Sequence, residues 1–546
     1  MGAAYLLLLA LAFFIVAYIF YGRYVSRRLG VDKNRPTPAH TMTDGVDYVP
    51  AKAPILFGHH FASIAGAAPI IGPITAAVFG WGPVLLWIIL GSVFIGGVHD
   101  FASIVASVRH QGKSIGEIIE DHLGKAGKQL FLVFSWSTLI LVISVFTIVV
   151  AKTFVSVPAS ATASILFLLL ALAFGAGIYR FKIHIGIATL FGVVLLFSCI
   201  YLGILFPISL PMNVWIYFLL AYIFVASVTP VWILLQPRDY LNSFLLYALV
   251  IGATLGIIIG NPQVQMVSYS SFHMDIGYLF PILFVTVACG AISGFHSLVS
   301  SGTTAKQLDK ESDARIIGYG GMLTEGLLAV VSLIAAVVLV RSQYTEFLSK
   351  AGGGPIALFS ASIGSFIATL GIPLHVGKTF AALAVSAFAL TSLDTATRLS
   401  RYAFQEFFEK HQSDKQSILA RNRFIGTTVS VFFGGLLALS GQWKAIWPIF
   451  GSANQLLAAL ALLAVSVWLA QKGMKNAFTR YPMIFMFAVT ITALINLIVK
   501  NILSQNYILA VIAVFLLIVA VVLAYQAFTK MRKLKEEMAG HTVDAG

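Results

Sequence analysis

His59 and His60 sit in a stretch that is poorly suited to a straight helix. It reads ILFGHHFASIAGAAPIIGPITAAV over 55–78, with Ser63 and with Gly58, Gly66, Pro69, Gly72 and Pro73. Successive residues on a helix point about 100° apart, so one imidazole faces a path while the other packs. Histidine titrates near neutral pH and suits proton carriage. A second group, His99 and Asp100 in FIGGVHDFASIV, sets a carboxylate beside an imidazole. Asp100 either carries a proton or neutralises His59, His60 or Arg109. A third lies in CGAISGFHSLVSSGTTAKQ, where Ser293, Ser297, Ser300 and Thr304 recur at i, i+4, i+7 and i+11, with Ser301 adjacent and His296 flanking. One stripe of hydroxyls suits a Na⁺ site or a hydrogen-bonding wall for substrate. It also suits plain small-residue helix packing with back-bonded hydroxyls. A fourth group is Asp394, Arg398 and Arg401 in ALTSLDTATRLSRYAF. That spacing makes Asp394–Arg398 an i, i+4 ion pair or gate at the inner mouth. Glu325 lies in the first two turns of 319–340, with Arg315 or Arg398 as its partner.

The elements that carry these residues belong in a membrane. Of 546 residues 59% are apolar and only 10% charged, against about 25% in soluble proteins. Fifteen runs reach the roughly 20 apolar residues a spanning helix needs. They are 3–22, 55–78, 83–108, 129–151, 161–179, 186–207, 213–235, 243–260, 279–301, 319–340, 376–397, 424–441, 446–470, 483–500 and 507–528. The first lacks a basic leader and is followed by Arg23, Arg27 and Arg28, so it reads as a retained helix. The formal charge of +14 falls almost wholly in alternate loops, including Lys52, Arg109, Lys113, Arg238, Lys306, Arg398, Lys410, Lys415 and Lys472. The 261–278 loop has no Lys or Arg. This asymmetry predicts an outside N-terminus and a cytoplasmic tail. The basic excess then meets anionic lipid and does not form a nucleic-acid groove. The run 355–372 would invert that order if it spanned, so it is expected to be re-entrant or an external surface helix.

A broken helix at 55–78 and a second proline-interrupted run, 213–235 with Pro230, stand five spans apart and run in opposite directions. Discontinuous helices at inverted positions point to a secondary-transporter site at mid-membrane. This predicts an all-α polytopic protein with a five-plus-five inverted-repeat core of the LeuT type. It divides into 1–54 (helix and cytoplasmic loop), 55–207 (repeat one), 213–397 (repeat two) and 398–546 (helical module and tail). Substrate would lie between 58–73 and 227–231, contacted by Gly58, His59, Ser63, Gly66, Gly72, Ser227 and Thr229. Ser293, His296 and Ser297 would form a third wall. Half-helix N-termini would hold an anionic group. Coupling would be to H⁺ through His59, His60, His99 or Asp100, or to Na⁺ at Ser297, Ser300, Ser301 and Thr304. Asn454 and Gln455, inside an apolar helix, would join helices or reach a polar path.

There is no P-loop, no HExxH and no pair of cysteines near enough in sequence to suggest a zinc or redox site, so no enzyme activity, cofactor or metal is expected. Several segments resemble the carbon starvation protein A family of bacterial membrane transporters: RPTPAHTMTDGVDYVPA (35–51), LFGHHFASIAGAAPIIGPITAAVFGWGP (56–83), GGVHDF (96–101), SGFHSLVSSGTTAKQ (293–307), FALTSLDTATRLSRY (388–402) and WPIFGSANQLLA (447–458). The match covers nearly the whole chain. It implies the inner membrane, uptake of pyruvate or small peptides by carbon-starved bacteria, and a place in the amino acid–polyamine–cation superfamily. It does not separate pyruvate from peptide. Rival expectations are a nutrient sensor of transporter fold and a Na⁺-coupled amino-acid or peptide symporter.

Overall fold

The computed structural model describes residues 1–45, 48–230, 234–349, 353–409 and 417–543, so Val231, Lys410 and Lys415 lie outside the described residues. It is a multi-pass helical bundle. Eleven helices among the described residues are long and apolar enough to cross a membrane, and a bent pair, Ala53–Ile64 with Ala68–Phe79, makes a twelfth. Large apolar side chains stay exposed on the outer helices, for example Phe20, Leu190, Tyr217 and Ile508. Water would not tolerate such a surface, whereas lipid requires it. Proline starts many helices, at Pro54, Pro69, Pro158 and Pro355. There its missing N–H costs nothing.

The remaining three of the fifteen expected runs differ. Met212–Val228 and Arg423–Leu439 are apolar helices of 17 residues each. The run 279–301 is not one helix: Leu279–Thr286 stops at Val287, and Gly294–Val299 starts from Ser293, whose backbone is extended. Hydropathy reads straight through this break because its residues, VACGAIS over 287–293, are mostly small and apolar and wholly buried. The interruption expected within 213–235 lies elsewhere than predicted. Met212–Val228 ends before Pro230, which follows the helix rather than kinking it. The second broken helix is therefore 279–307.

The two broken helices meet at their breaks. The first bends by 50°, with Ala65 out of helical geometry at ψ 72°. A Cβ on Gly72 would fall 2.6 Å from Thr286 O and 3.2 Å from Val287 Cα, so only glycine lets them approach. Each broken helix is followed by a long helix, Trp81–Arg109 and Glu311–Val337. Three π-helical turns occur here: Ser92–Gly96, Ser300–Thr304 and Arg315–Gly320. At the bundle centre Lys125–Ser156 packs along Leu374–Phe407.

Gly354–Ala368 has both ends on one side of the bundle. A Cβ on Gly353, just before it, would lie 3.5 Å from Ser156 Oγ, at the end of Lys125–Ser156. Thr369, just after it, donates to Gly256 O at 3.3 Å, in the last turn of Leu235–Gly260. The chain thus enters and leaves this helix at the same face, as expected for a surface or re-entrant segment.

Candidate functional site

The centre of the site is a chain of buried titratable groups. Asp100 is fully buried on Trp81–Arg109. Its Oδ1 lies 2.7 Å from His99 Nδ1 and its Oδ2 lies 2.8 Å from His296 Nδ1. His296 comes from the second broken helix, and its Nε2 lies 3.3 Å from Glu325 Oε2. That last contact lacks hydrogen-bond geometry, and neither Glu325 oxygen has another partner in the described residues. His60 reaches the same helix from the first broken helix, with Nδ1 2.8 Å from Thr304 Oγ1. Its ring also faces Glu325's helix: a Cβ on Gly321, one turn before Glu325, would lie 3.3 Å from His60 Cδ2. Asp100 therefore joins His99 and His296, not His59, His60 or Arg109. Glu325 faces His296, not Arg315 or Arg398. Two buried carboxylates at membrane depth need neutralisation, and among the described residues the groups touching them that can take up a proton are imidazoles.

The second break is closed by one helix, Trp443–Gln471. Asn454 Oδ1 accepts from Phe295 N–H at 2.9 Å and Asn454 Nδ2 donates to Ser293 Oγ at 2.9 Å. Gln455 Nε2 donates to Phe284 O at 2.7 Å. These amides satisfy the free N–H and C=O groups that a broken helix leaves behind. At the N-terminus of Gly294–Val299 the Phe295 N–H is thus already taken by protein.

The hydroxyl stripe is also partly used up. Ser297 Oγ donates to Gly294 O at 2.7 Å, Ser301 Oγ to Ser297 O at 2.8 Å, and Thr304 is taken by His60. The break and the π turn end the regular spacing on which a continuous stripe depends. Ser300 Oγ is buried without a partner among the described residues. At the first break, Ser63 Oγ donates to His59 O and Ser63 O accepts from Ser392 Oγ at 3.3 Å. A Cβ on Gly66 would lie 2.7 Å from Ser392 Oγ.

A second buried network was not foreseen. Arg238 Nη1 pairs with Asp394, and Tyr222 Oη donates to Asp394 Oδ2 at 2.7 Å. Arg238 Nη2 lies 2.8 Å from Asp239 Oδ1, and Asp239 Oδ2 lies 3.5 Å from His59 Nδ1. Asp394 therefore pairs across helices rather than with Arg398. Arg398 donates to Ala226 O and Thr229 O at 2.8 and 2.7 Å, and Arg401 to Ser227 O at 2.8 Å. These cations cap the C-terminus of Met212–Val228, where free carbonyls and the helix dipole favour them. Ser227 Oγ meets Thr427 at 3.1 Å. Ser227 and Thr229 thus face Leu374–Phe407 and Arg423–Leu439 and are not seen against 58–73. Gly58 packs on Leu235–Gly260, where its Cβ would lie 3.2 Å from Ser243 Oγ. The Arg238–Asp239 pair was hidden in the sequence because it reads as the basic end of a loop.

A cavity of about 420 Å³ with a mixed polar and apolar lining opens at the basic face. Ser135 and Leu139, Leu298 and Ser301, and Leu399 line it from three helices, with Lys306 and Glu406 toward its mouth. Ser135 Oγ is buried there without a partner in the described residues.

Together the many apolar helices, broken helices and buried charge networks define a multi-pass membrane protein of the transporter class. Residues 2–353 and 345–493 match the family model described as carbon starvation protein CstA, and the chain belongs to that family. It is 33% identical over 568 residues to the peptide transporter CstA of Campylobacter jejuni, covering 90% of this chain and 79% of that one. It is 31% identical to the pyruvate/proton symporter BtsT of Escherichia coli K12, covering 85% and 77%. These relatives are named as transporters, not enzymes. A solved Na⁺-coupled sialic acid symporter, substrate-bound and outward-open, overlays 90% of this chain and 97% of its own, with TM-score 0.44 and 14% identity. That overlap is too loose to bear on fold or function.

Proposed function

We propose that the chain is a proton-coupled symporter of the bacterial inner membrane that imports a small carboxylate, pyruvate or a short peptide. The observation that carries this reading is the buried chain His99–Asp100–His296–Glu325, which bridges a broken helix and the two helices that follow the breaks. An ionised Glu325 without a donor is expensive at this depth. A proton shared between His296 and Glu325 lowers that cost, and its release raises it again. The named activity of the pyruvate/proton symporter relative is consistent with this.

The positive-inside asymmetry supports an outside N-terminus and a cytoplasmic tail, so the 420 Å³ cavity would be a cytoplasmic vestibule. An inverted repeat is supported by the matched order of a broken helix followed by a π-interrupted helix, starting at 53 and at 279. On this reading repeat two would start at 279, run beyond 397 and take in Trp443–Gln471.

Na⁺ coupling is the second reading, favoured by the buried unpartnered Ser300 hydroxyl. Uptake into proteoliposomes separates the two. Labelled pyruvate, alanine and dialanine are compared under an imposed ΔpH or ΔpNa. Accumulation driven by ΔpH and collapsed by an uncoupler is expected. Accumulation that follows ΔpNa alone overturns proton coupling, and specific binding without uptake overturns transport in favour of a sensor.

A further inference from the structure

A large cavity lies away from the charged site, on the lipid-facing flank. It is a cleft of about 880 Å³ between Ala3–Arg28, Ala53–Ile64, Leu235–Gly260 and the helix that carries Glu325. Its walls are apolar, with Phe14, Tyr18, Phe57, Tyr247, Leu323 and Leu327 among them. The size falls within the usual range for a bound small molecule. Ile15, Ile55 and Ile316 at its rim are exposed, as they would be toward lipid.

One end of the cleft is basic. Lys52 is exposed and directly precedes the lining residues Ala53 and Pro54. Arg315 directly precedes Ile316, and its guanidinium lies over the Tyr18 ring, 5.2 Å from the centroid. Among the described residues neither cation has an ion-pair partner. Arg23, Arg27 and Arg28 follow on the first helix. An apolar trough in the membrane ending in unpaired cations is complementary to an acyl chain ending in a phosphate diester.

We infer that this cleft binds one anionic phospholipid, its acyl chain between the helices and its headgroup on Lys52 and Arg315. The occupant presses on the first broken helix. Gly58 lines the cleft, and the next residue, His59, faces Asp239. Lipid occupancy thereby bears on the position of the inner half of that helix. The inference stands apart from the transport reading, because its test reads lipid and not uptake.

Gly320 supplies the test. It lines the cleft in helical backbone, and a Cβ there would meet its nearest atom, on Tyr18, at an ordinary 3.5 Å. Gly320→Leu therefore adds bulk to the trough from a position whose Cβ is in ordinary contact. The purified full chain is given equimolar phosphatidylglycerol and phosphatidylethanolamine, and bound lipids are counted by native mass spectrometry. The wild type is expected to retain phosphatidylglycerol preferentially, and Gly320→Leu to lose it. Lys52→Gln and Arg315→Gln should each reduce the preference on the order of five-fold. Equal retention of the two lipids by the wild type overturns the inference. So does undiminished phosphatidylglycerol binding in Gly320→Leu, or an unchanged preference when both cations are removed.

Discussion

Asp100 is the residue on which the buried chain turns, because each of its oxygens serves a different histidine. Asp100→Asn keeps the shape and removes the charge. Uphill uptake is expected to be abolished while substrate exchange continues, and normal accumulation against a gradient would remove Asp100 from coupling. Glu325→Gln should flatten the pH dependence of uptake and leave binding intact, as measured by uptake and by substrate-induced thermal shift. The residue types were legible in sequence: a carboxylate beside a histidine in an apolar run needs a reason. The partners were not, since His296 lies 196 positions from Asp100 and no local spacing joins them. Another pair lies outside the spans. His110 and His122 approach at 3.3 Å through their Nε2 atoms. Burial lowers both pKa values; Lys472 adds to this at both, Lys113 at His110 and the His110 imidazole at His122, while Asp121 and the hydrogen bonds of His110 with Ala106 O and of His122 with the Gln471 side chain oppose it. A folded pKa below the unfolded value of about 6.5 means stability is full above 6.5 and falls as pH drops through the folded pKa. The protection factors for amide exchange across Ile115–Leu123, corrected for the intrinsic rate at each pH, should therefore be lower at pH 5.5 than at 7.5, and His110→Gln should weaken that difference.

Among elements, the broken helices were half legible. Proline and glycine announce the first. The second carries no proline at its break, and its signal is only a run of small residues between Val287 and Ser293. Asn454 and Gln455 were the better clue, since two amides in a long apolar helix imply backbone that needs partners. Asn454→Leu removes the acceptor for Phe295 N–H and should cost about 1–2 kcal/mol, read as a lower unfolding temperature in detergent. The Arg238–Asp394 pair makes a larger prediction. Asp394→Asn leaves a buried guanidinium with weaker neutralisation, and removing a buried partner costs about 3–5 kcal/mol. Asp394→Asn should thus destabilise far more than Arg398→Gln, whose partners are carbonyls at a helix end.

For the whole molecule, apolar run length and loop charge were enough to read a multi-pass helical membrane protein, because the bilayer imposes a length and a charge rule on every span. Run length alone cannot separate a spanning helix from two half-helices joined by small buried residues, which is why 279–301 was read as one. Nor could it register which helices pair. Leu374–Phe407 finds Lys125–Ser156 more than two hundred residues away. At this scale the decisive measurement is uptake under a proton or sodium gradient, with orientation checked by cysteine labelling. A cysteine in the 261–278 loop should react with an impermeant reagent from outside, and one near Lys472 should not.

The three π turns give this arrangement a kind of dislocation. Ser92–Gly96 lies just before His99 and Asp100, Ser300–Thr304 just after His296, and Arg315–Gly320 just before Glu325. Each holds one residue more than an α turn would, so each is a stored fault in the register of its helix. A fault of this kind can glide: moved past one residue, it turns that residue by about 100° while both ends of the helix stay where they are. The buried acids and imidazoles thus sit beside built-in slip planes. Such a glide would reorient one of these side chains without unravelling its helix.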